Sequence, residues 1–219
     1  MISSTIVHNV QLLREAGLAT VGYFYADFRD RAKHSARGLL SSLLIQLCTQ
    51  SDNFCEILYS FYLKHNRGLH QPNDSALTSC LKEMLAIPGE GPLYIIIDAL
   101  DEYPNSHSFP SPREQALKVV KTLVDLNLPH LHVCVTSRPE MDIRMVLAPL
   151  ATHSVCLHDE VGQRKDIADY VEDIVHSDKI MRGWPKEYKR LVIDTLAENG
   201  GGMYVKILSS FHNASYRMA

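Results

Sequence analysis

The chain has 219 residues, of which 46% are hydrophobic and 21% charged, a balance that suits one or two globular domains with a sizeable core and excludes a disordered chain. Its net charge of −3 offers no basic surface of the kind that holds nucleic acid. Five cysteines, Cys48, Cys55, Cys80, Cys134 and Cys156, form no CxxC pair, and their odd number closes no disulfide framework, so a reducing compartment is expected.

The N-terminal stretch MISSTIVHNVQLLREAG lacks a basic region followed by an apolar one, and no run approaches the roughly 18 apolar residues of a membrane span, so the chain reads as cytoplasmic and soluble. The sequons at Asn73 and Asn213 are then chance matches. Ile2, Ile6, Val10 and Leu13 recur at helical spacing up to Gly17, and TVGYFYADF (20–28) is rich in β-branched and aromatic residues, which predicts a strand. Leu39, Leu40, Leu43, Leu44 and Leu47 line one face of a helix and read as core packing rather than as a partner-binding stripe. Phe54, Leu58, Phe61 and Tyr62 mark a second helix, ended by HNRGLHQPND. Asn73 or Asp74 caps a third helix through Leu77, Leu81, Met84 and Leu85, closed by PGEGP. A strand at LYIIIDALDEY (93–103), a helix over 113–127, a strand over 131–136, a helix over 140–148 and a strand over 153–157 follow. Strands alternating with helices predict an α/β fold with a parallel sheet flanked by helices. From Asp159 only helical patterns remain, broken near RGWP and at Gly200-Gly201-Gly202, which predicts a division into an α/β core over 1–158 and a small helical subdomain over 159–219.

The run LYIIID is short, β-branched and not alternating, as in a strand buried on both faces. Asp98, Asp101 and Glu102 lie at its carboxyl end, where α/β proteins bind ligands. Magnesium with nucleotide phosphates is the chemical candidate, because Mg²⁺ takes one or two carboxylates together with water and phosphate oxygens. The matching phosphate loop, GxxxxGK(S/T), is not in the sequence: none of the eleven glycines is followed by lysine.

LYIIIDALDEY, followed at the end of the next strand by HVCVTSRPE, resembles the Walker B and sensor 1 segments of NACHT-type P-loop NTPases of the STAND signalling class, in the form seen in fungal NLR-like and nephrocystin-like proteins. ISSTIVHNV resembles the helix that follows the family's P-loop, GYFYADFRD its second strand, and ENGGGMYVKI its GMF-like segment. The resemblance covers nearly the whole chain and implies a P-loop NTPase-like fold from which the first strand and Walker A loop are missing, with Met1 one residue past the expected P-loop hydroxyl. It implies Asp98 as the magnesium ligand, Asp101 and Glu102 as the catalytic acids that position the attacking water, and Arg138, with Ser137 as a second candidate, as the contact to the γ-phosphate. The structural alternative for the same residues is that the acids cap the next helix or stay solvated, with Arg138 as their salt-bridge partner.

Two functions are consistent with this pattern. One is a nucleotide-dependent signalling switch, similar to those of innate immunity, in which Mg²⁺ and ATP or GTP control oligomerisation. The other is a catalytically silent interaction module that binds protein partners or itself without nucleotide. The resemblance also places the missing first strand between 131–136 and 153–157, which would leave both without a neighbour and favour self-association. His130, His132, Cys134, His153, Cys156 and His158 alternate between faces and make a poor zinc set, with Cys134 and Cys156 read as core filling. Ser41, Ser42 and Ser137 lack a GxSxG context.

Overall fold

The computed structural model describes residues 2–89, 91–106, 110–155, 161–177 and 181–199. The chain divides into two compact units, 1–152 and 153–219. In the first, helix α1 (Ile2–Glu15) leads to strand β1 (Thr20–Tyr25), then come helices α2 (Ala36–Cys48), α3 (Asp52–Lys64) and α4 (Asp74–Leu85), strand β2 (Leu93–Asp98), helix α5 (Pro112–Asp125), strand β3 (Leu131–Val135) and helix α6 (Met141–Leu147). The three strands form one parallel sheet in the order β1-β2-β3, with Thr20 opposite Leu93 and Leu93 opposite Leu131. β2 is central, which explains why its sequence is apolar on both faces: Leu93, Ile95, Ile96 and Ile97 are all essentially inaccessible.

One face of the sheet carries the main core. The leucine stripe of α2, Leu39 to Leu47, is fully buried there with Phe54, Leu81, Met84, Ile95, Ile97 and Leu123. α1 lies on the opposite face through Val7 and Val10, against Val21 and Ile96. α2 approaches β1 so closely that a Cβ on Gly22 would stand 3.0 Å from a Leu43 methyl and 3.2 Å from an Ile95 methyl, tighter than ordinary packing allows. That approach lets two glutamines one helical turn apart reach the outer margin of β1. Gln46 accepts from the Tyr23 N–H (3.0 Å) and donates to the Tyr23 carbonyl (2.7 Å), and Gln50 does the same for Val21 (3.0 and 2.7 Å).

β1 ends at Tyr25 rather than at Phe28, because the carboxylates of Asp27 and Asp30 take the amides of Arg29 and Ala32 (3.0 Å each) and turn the chain locally. Arg29 also forks onto Asp27, and those hydrogen bonds hold the Asp27 carboxyl down at about 2. The strand expected over 153–157 does not form in its described part: residues 153–155 are exposed, and no strand among the described residues pairs with them. A strand exists only through a neighbour that takes its amides and carbonyls. Cys156 and Leu157 lie outside the described residues, as do His158 and the segment from Gly200 onward. In the second unit, α7 (Val161–Ser177) and α8 (Lys186–Asn199) meet around Val171, Val175 and Met181, with a short helical turn at Met181–Gly183 where RGWP predicted the break. Among the described residues no helix is long and apolar enough to cross a membrane.

Candidate functional site

β2 delivers Asp98 to the carboxyl edge of the sheet, where the residue is 7% exposed. The backbone then turns sharply. Ala99 adopts the left-handed conformation (φ 56°, ψ 48°), uncommon for a residue with a Cβ, and Leu100–Glu102 make one 3-10 turn closed by Glu102 N–H to the Ala99 carbonyl (2.8 Å). Leu100 and Tyr103 both point into the core and are fully buried, which anchors the turn at its two ends.

Thr136, one residue past β3, connects the neighbouring strand end to this turn. Its hydroxyl donates to Asp98 Oδ1 and accepts from the Ala99 N–H (3.1 Å), and its backbone carbonyl accepts from Leu100 N–H (3.0 Å). Asp98 is felt by its neighbours. Burial first and the Asp98 charge second push both the Tyr25 phenol and the Cys134 thiol upward, so neither carries charge beside the carboxylate.

Asp101 faces Arg138. The Arg138 N–H donates to Asp101 Oδ1 (3.0 Å) and its Nε lies 3.2 Å from Oδ2. The two side chains differ in access: Asp101 is 9% exposed and Arg138 56%, so the guanidinium is the partner free to swing away. Glu102 is half-buried, and its charge, after the larger influence of Asp27, helps raise Arg29. Ser137 is exposed and donates to the Arg138 carbonyl (2.7 Å). The structure therefore brings together Asp98, Asp101 and Arg138. No hydrogen bond or ion pair among the described residues joins Ser137 or Glu102 to the first two.

The residue that fastens the turn escapes notice in the sequence. Arg113, in the first turn of α5, is 6% exposed and spreads its guanidinium over four partners. Nε donates to the Tyr103 carbonyl (3.0 Å), Nη2 to the Asp101 carbonyl (2.7 Å), and Nη1 to Asp142 (3.2 Å) and to Glu140. Burial disfavours its charge, and the bonds to Glu140 and Asp142 more than offset this, leaving the guanidinium above its usual pKa. One signal for it is present: a cation at a helix N-terminus opposes the macrodipole and needs acidic partners. Here α5 is already capped by Ser111 and Glu114 in a reciprocal capping box, so Arg113 is spared for tertiary contacts.

The histidines and cysteines weighed for zinc are scattered. His130 bonds the Leu85 carbonyl (3.0 Å), His132 stacks on Tyr94 with centroids 4.9 Å apart, and Cys134 is half-buried on the α1 face. No group of three or more His, Cys, Asp or Glu among the described residues is arranged to hold a metal by itself. The donor set at Asp98 does fit a cation that brings its own water and phosphate ligands, because Thr136 engages one carboxylate oxygen and Oδ2 has no partner among the described residues. Asp101, held at both oxygens by Arg138, does not add a second ligand in this arrangement.

The family model for Nephrocystin 3, N-terminal, matches residues 1–138, which include the whole sheet, the acidic turn and Arg138. No curated protein and no solved structure matches the chain.

Proposed function

The chain belongs to the Nephrocystin 3 N-terminal family, and from that footing we propose that its α/β unit is the Walker B and sensor half of a NACHT-type, P-loop NTPase-like switch whose nucleotide state controls oligomerisation. The observation that carries this reading is the meeting of Asp98, Asp101 and Arg138 at the carboxyl edge of a parallel sheet, two strand ends joined through Thr136. Asp98 is the magnesium ligand, through water, with ATP or GTP as the nucleotide. Magnesium, when bound, neutralises charge on the phosphate oxygens. Asp101 and Glu102 orient the attacking water, and Arg138, with Ser137 beside it, reads the γ-phosphate. The Arg138–Asp101 ion pair is then the resting state: an incoming γ-phosphate competes for the exposed guanidinium and frees the covered carboxylate.

Residues 1–219 contain no GxxxxGK(S/T), so the phosphate cradle has to come from outside them, and the residues alone bind nucleotide poorly. Titration of Mg-ATP and Mg-GTP into the chain is expected to show no binding at about 10 µM or tighter, roughly −7 kcal/mol. Tighter binding would mean a phosphate site of another kind. When a strand and a phosphate loop are fused ahead of residue 1, Asp98→Ala weakens magnesium-dependent binding, whereas Glu102→Gln spares binding and slows hydrolysis. Equal effects of the two on binding refute the division of roles.

The closed Arg138–Asp101 pair also favours a second reading, an interaction module that no longer uses nucleotide and joins protein partners or further copies of itself. The fused chain separates the two, since a silent module stays inert to nucleotide even with the loop supplied.

A further inference from the structure

We propose that the cleft between α3, the start of α2 and the segment 65–72 is a binding site for a small aromatic carboxylate. The cleft holds about 400 Å³, within the usual range of small-molecule sites, and its walls are mainly apolar and aromatic: Leu58, Phe61, Tyr62, His65 and Pro72, with Arg37 at the polar end. His65 Nδ1 bonds the Phe61 carbonyl (2.9 Å) and the two rings pack with centroids 4.3 Å apart, so each fixes the other. The turn that follows is costly. Asn66 (φ 54°), Arg67 (φ 53°) and Gly68 (φ 84°) are left-handed in succession, and two of the three carry a Cβ. That run sets Gly68 so close to the Tyr62 ring that a Cβ on it would stand 3.3 Å from Cε2. Backbone strain of this kind gathers at ligand clamps.

Arg37 supplies the recognition of charge. It sits in the first turn of α2, where a cation opposes the helix dipole, and the cap there comes from Ser35 instead. Nη1 donates to the Pro72 carbonyl (2.7 Å) and lies 3.7 Å from Asp74, and Nη2 donates to Gln71 Oε1 (3.2 Å). Those bonds tie the segment 71–72 to α2 and hold the guanidinium in place. They do not use it up. Nε has no partner among the described residues and Nη2 keeps a second hydrogen, on a side chain 40% exposed. Two such donors match the two oxygens of a carboxylate. Asp74 already offsets part of the positive charge, which favours a monoanion over a phosphate. The rings beside it offer edge and face contacts to a flat aromatic body, so the ligand that fits both ends is an aromatic acid. The cleft shares no residue with the acidic turn, and the proposal stands whether or not the chain uses nucleotide.

The test titrates the full chain with 2-naphthoate by calorimetry and follows the amide signals by NMR. One molecule should bind per chain with a submillimolar dissociation constant, and the shifted amides should cluster at 37 and 58–72. 2-Naphthamide, which keeps the rings and loses the charge, and cyclohexanecarboxylate, which keeps the charge and loses the aromatic body, should each bind at least about tenfold more weakly. Arg37→Met should lose about tenfold for naphthoate and nothing for naphthamide, a split that a purely structural role would not produce. If that variant fails to fold, Arg37→Lys, which keeps a cation without the fork, should show the same split. Tyr62→Ala should weaken both ligands. No binding at about 1 mM, naphthamide binding as tightly as naphthoate, full binding in Arg37→Met or Arg37→Lys, or amide shifts centred elsewhere would each overturn the proposal.

Discussion

Replacing Arg113 by methionine keeps the length and apolar stem of the side chain and removes a guanidinium with four partners, which makes it the most informative single change in the α/β unit. The cost can be worked from those partners. Two are backbone carbonyls, of Asp101 and Tyr103, that lose their charged donor under a side chain only 7% exposed, and bonds to charged groups contribute about 1.5–3 kcal/mol each. The other two, Glu140 and Asp142, are 42% and 40% exposed, so water takes over much of what they lose and they add at most about 1 kcal/mol together. The expected loss is about 4 kcal/mol, a large part of the roughly 5–15 kcal/mol that holds a domain folded. Arg113→Lys restores a cation near Glu140 and Asp142 but cannot span both carbonyls, and should recover about half. Urea unfolding followed by circular dichroism measures both, with the midpoint falling and the slope unchanged. A methionine variant within about 1 kcal/mol of the parent would refute the assignment of Arg113 as the fastening of the acidic turn.

Thr136→Val is nearly isosteric but removes the hydroxyl shared by Asp98 and the Ala99 amide; it should cost about 1–3 kcal/mol in the same assay, and a neutral result would mean that water replaces the bridge. Gln46→Leu and Gln50→Leu should each speed amide exchange at Tyr23 and Val21 respectively, since those N–H groups lose their acceptors; unchanged protection would show that the glutamines are bystanders. Alkali should destabilise the fold between pH 9 and about 11: burial raises the Cys80 thiol from 9.0 to about 11, so the folded state holds its proton longer than the unfolded chain, and that stability, full below 9, is lost as pH rises through 11. Cys80→Ala should flatten this part of the pH–stability curve, and an identical curve would refute the attribution.

Much of the fold is legible in the sequence because it follows from periodicity. The α2 leucines, the cap at Asn73 and the unbroken apolar run of β2 each report a local preference that tertiary structure has no reason to override. The end of β1 is not legible from composition, since Phe28 suits a strand as well as Tyr25 does; side-chain turns at Asp27 and Asp30 decide it. Asp98, Asp101 and Arg138 are visible because their places at strand ends follow from the α/β pattern. Thr136 and Arg113 are harder to see, because a threonine at a strand end and an arginine on a helix are ordinary until the contacts across 37 and 12 residues are known.

Gln46 on α2 and Gln50 just past its end give the sheet a direction. A parallel sheet ordinarily has two open margins at which another strand can add. On the β1 margin the amides and carbonyls of Val21 and Tyr23 are already matched by side chains that act as a surrogate strand. β3 pairs with β2 alone among the described residues, so its far margin is where backbone hydrogen bonding can continue. A strand that extended this sheet, from the same chain or another, would find its free partners beside β3, next to Thr136 and Arg138. Two copies meeting this way would build a six-stranded sheet from twice the observed three, with the glutamines at both outer ends. A margin covered in this way would hold edge pairing to two copies instead of letting it run on into a fibre.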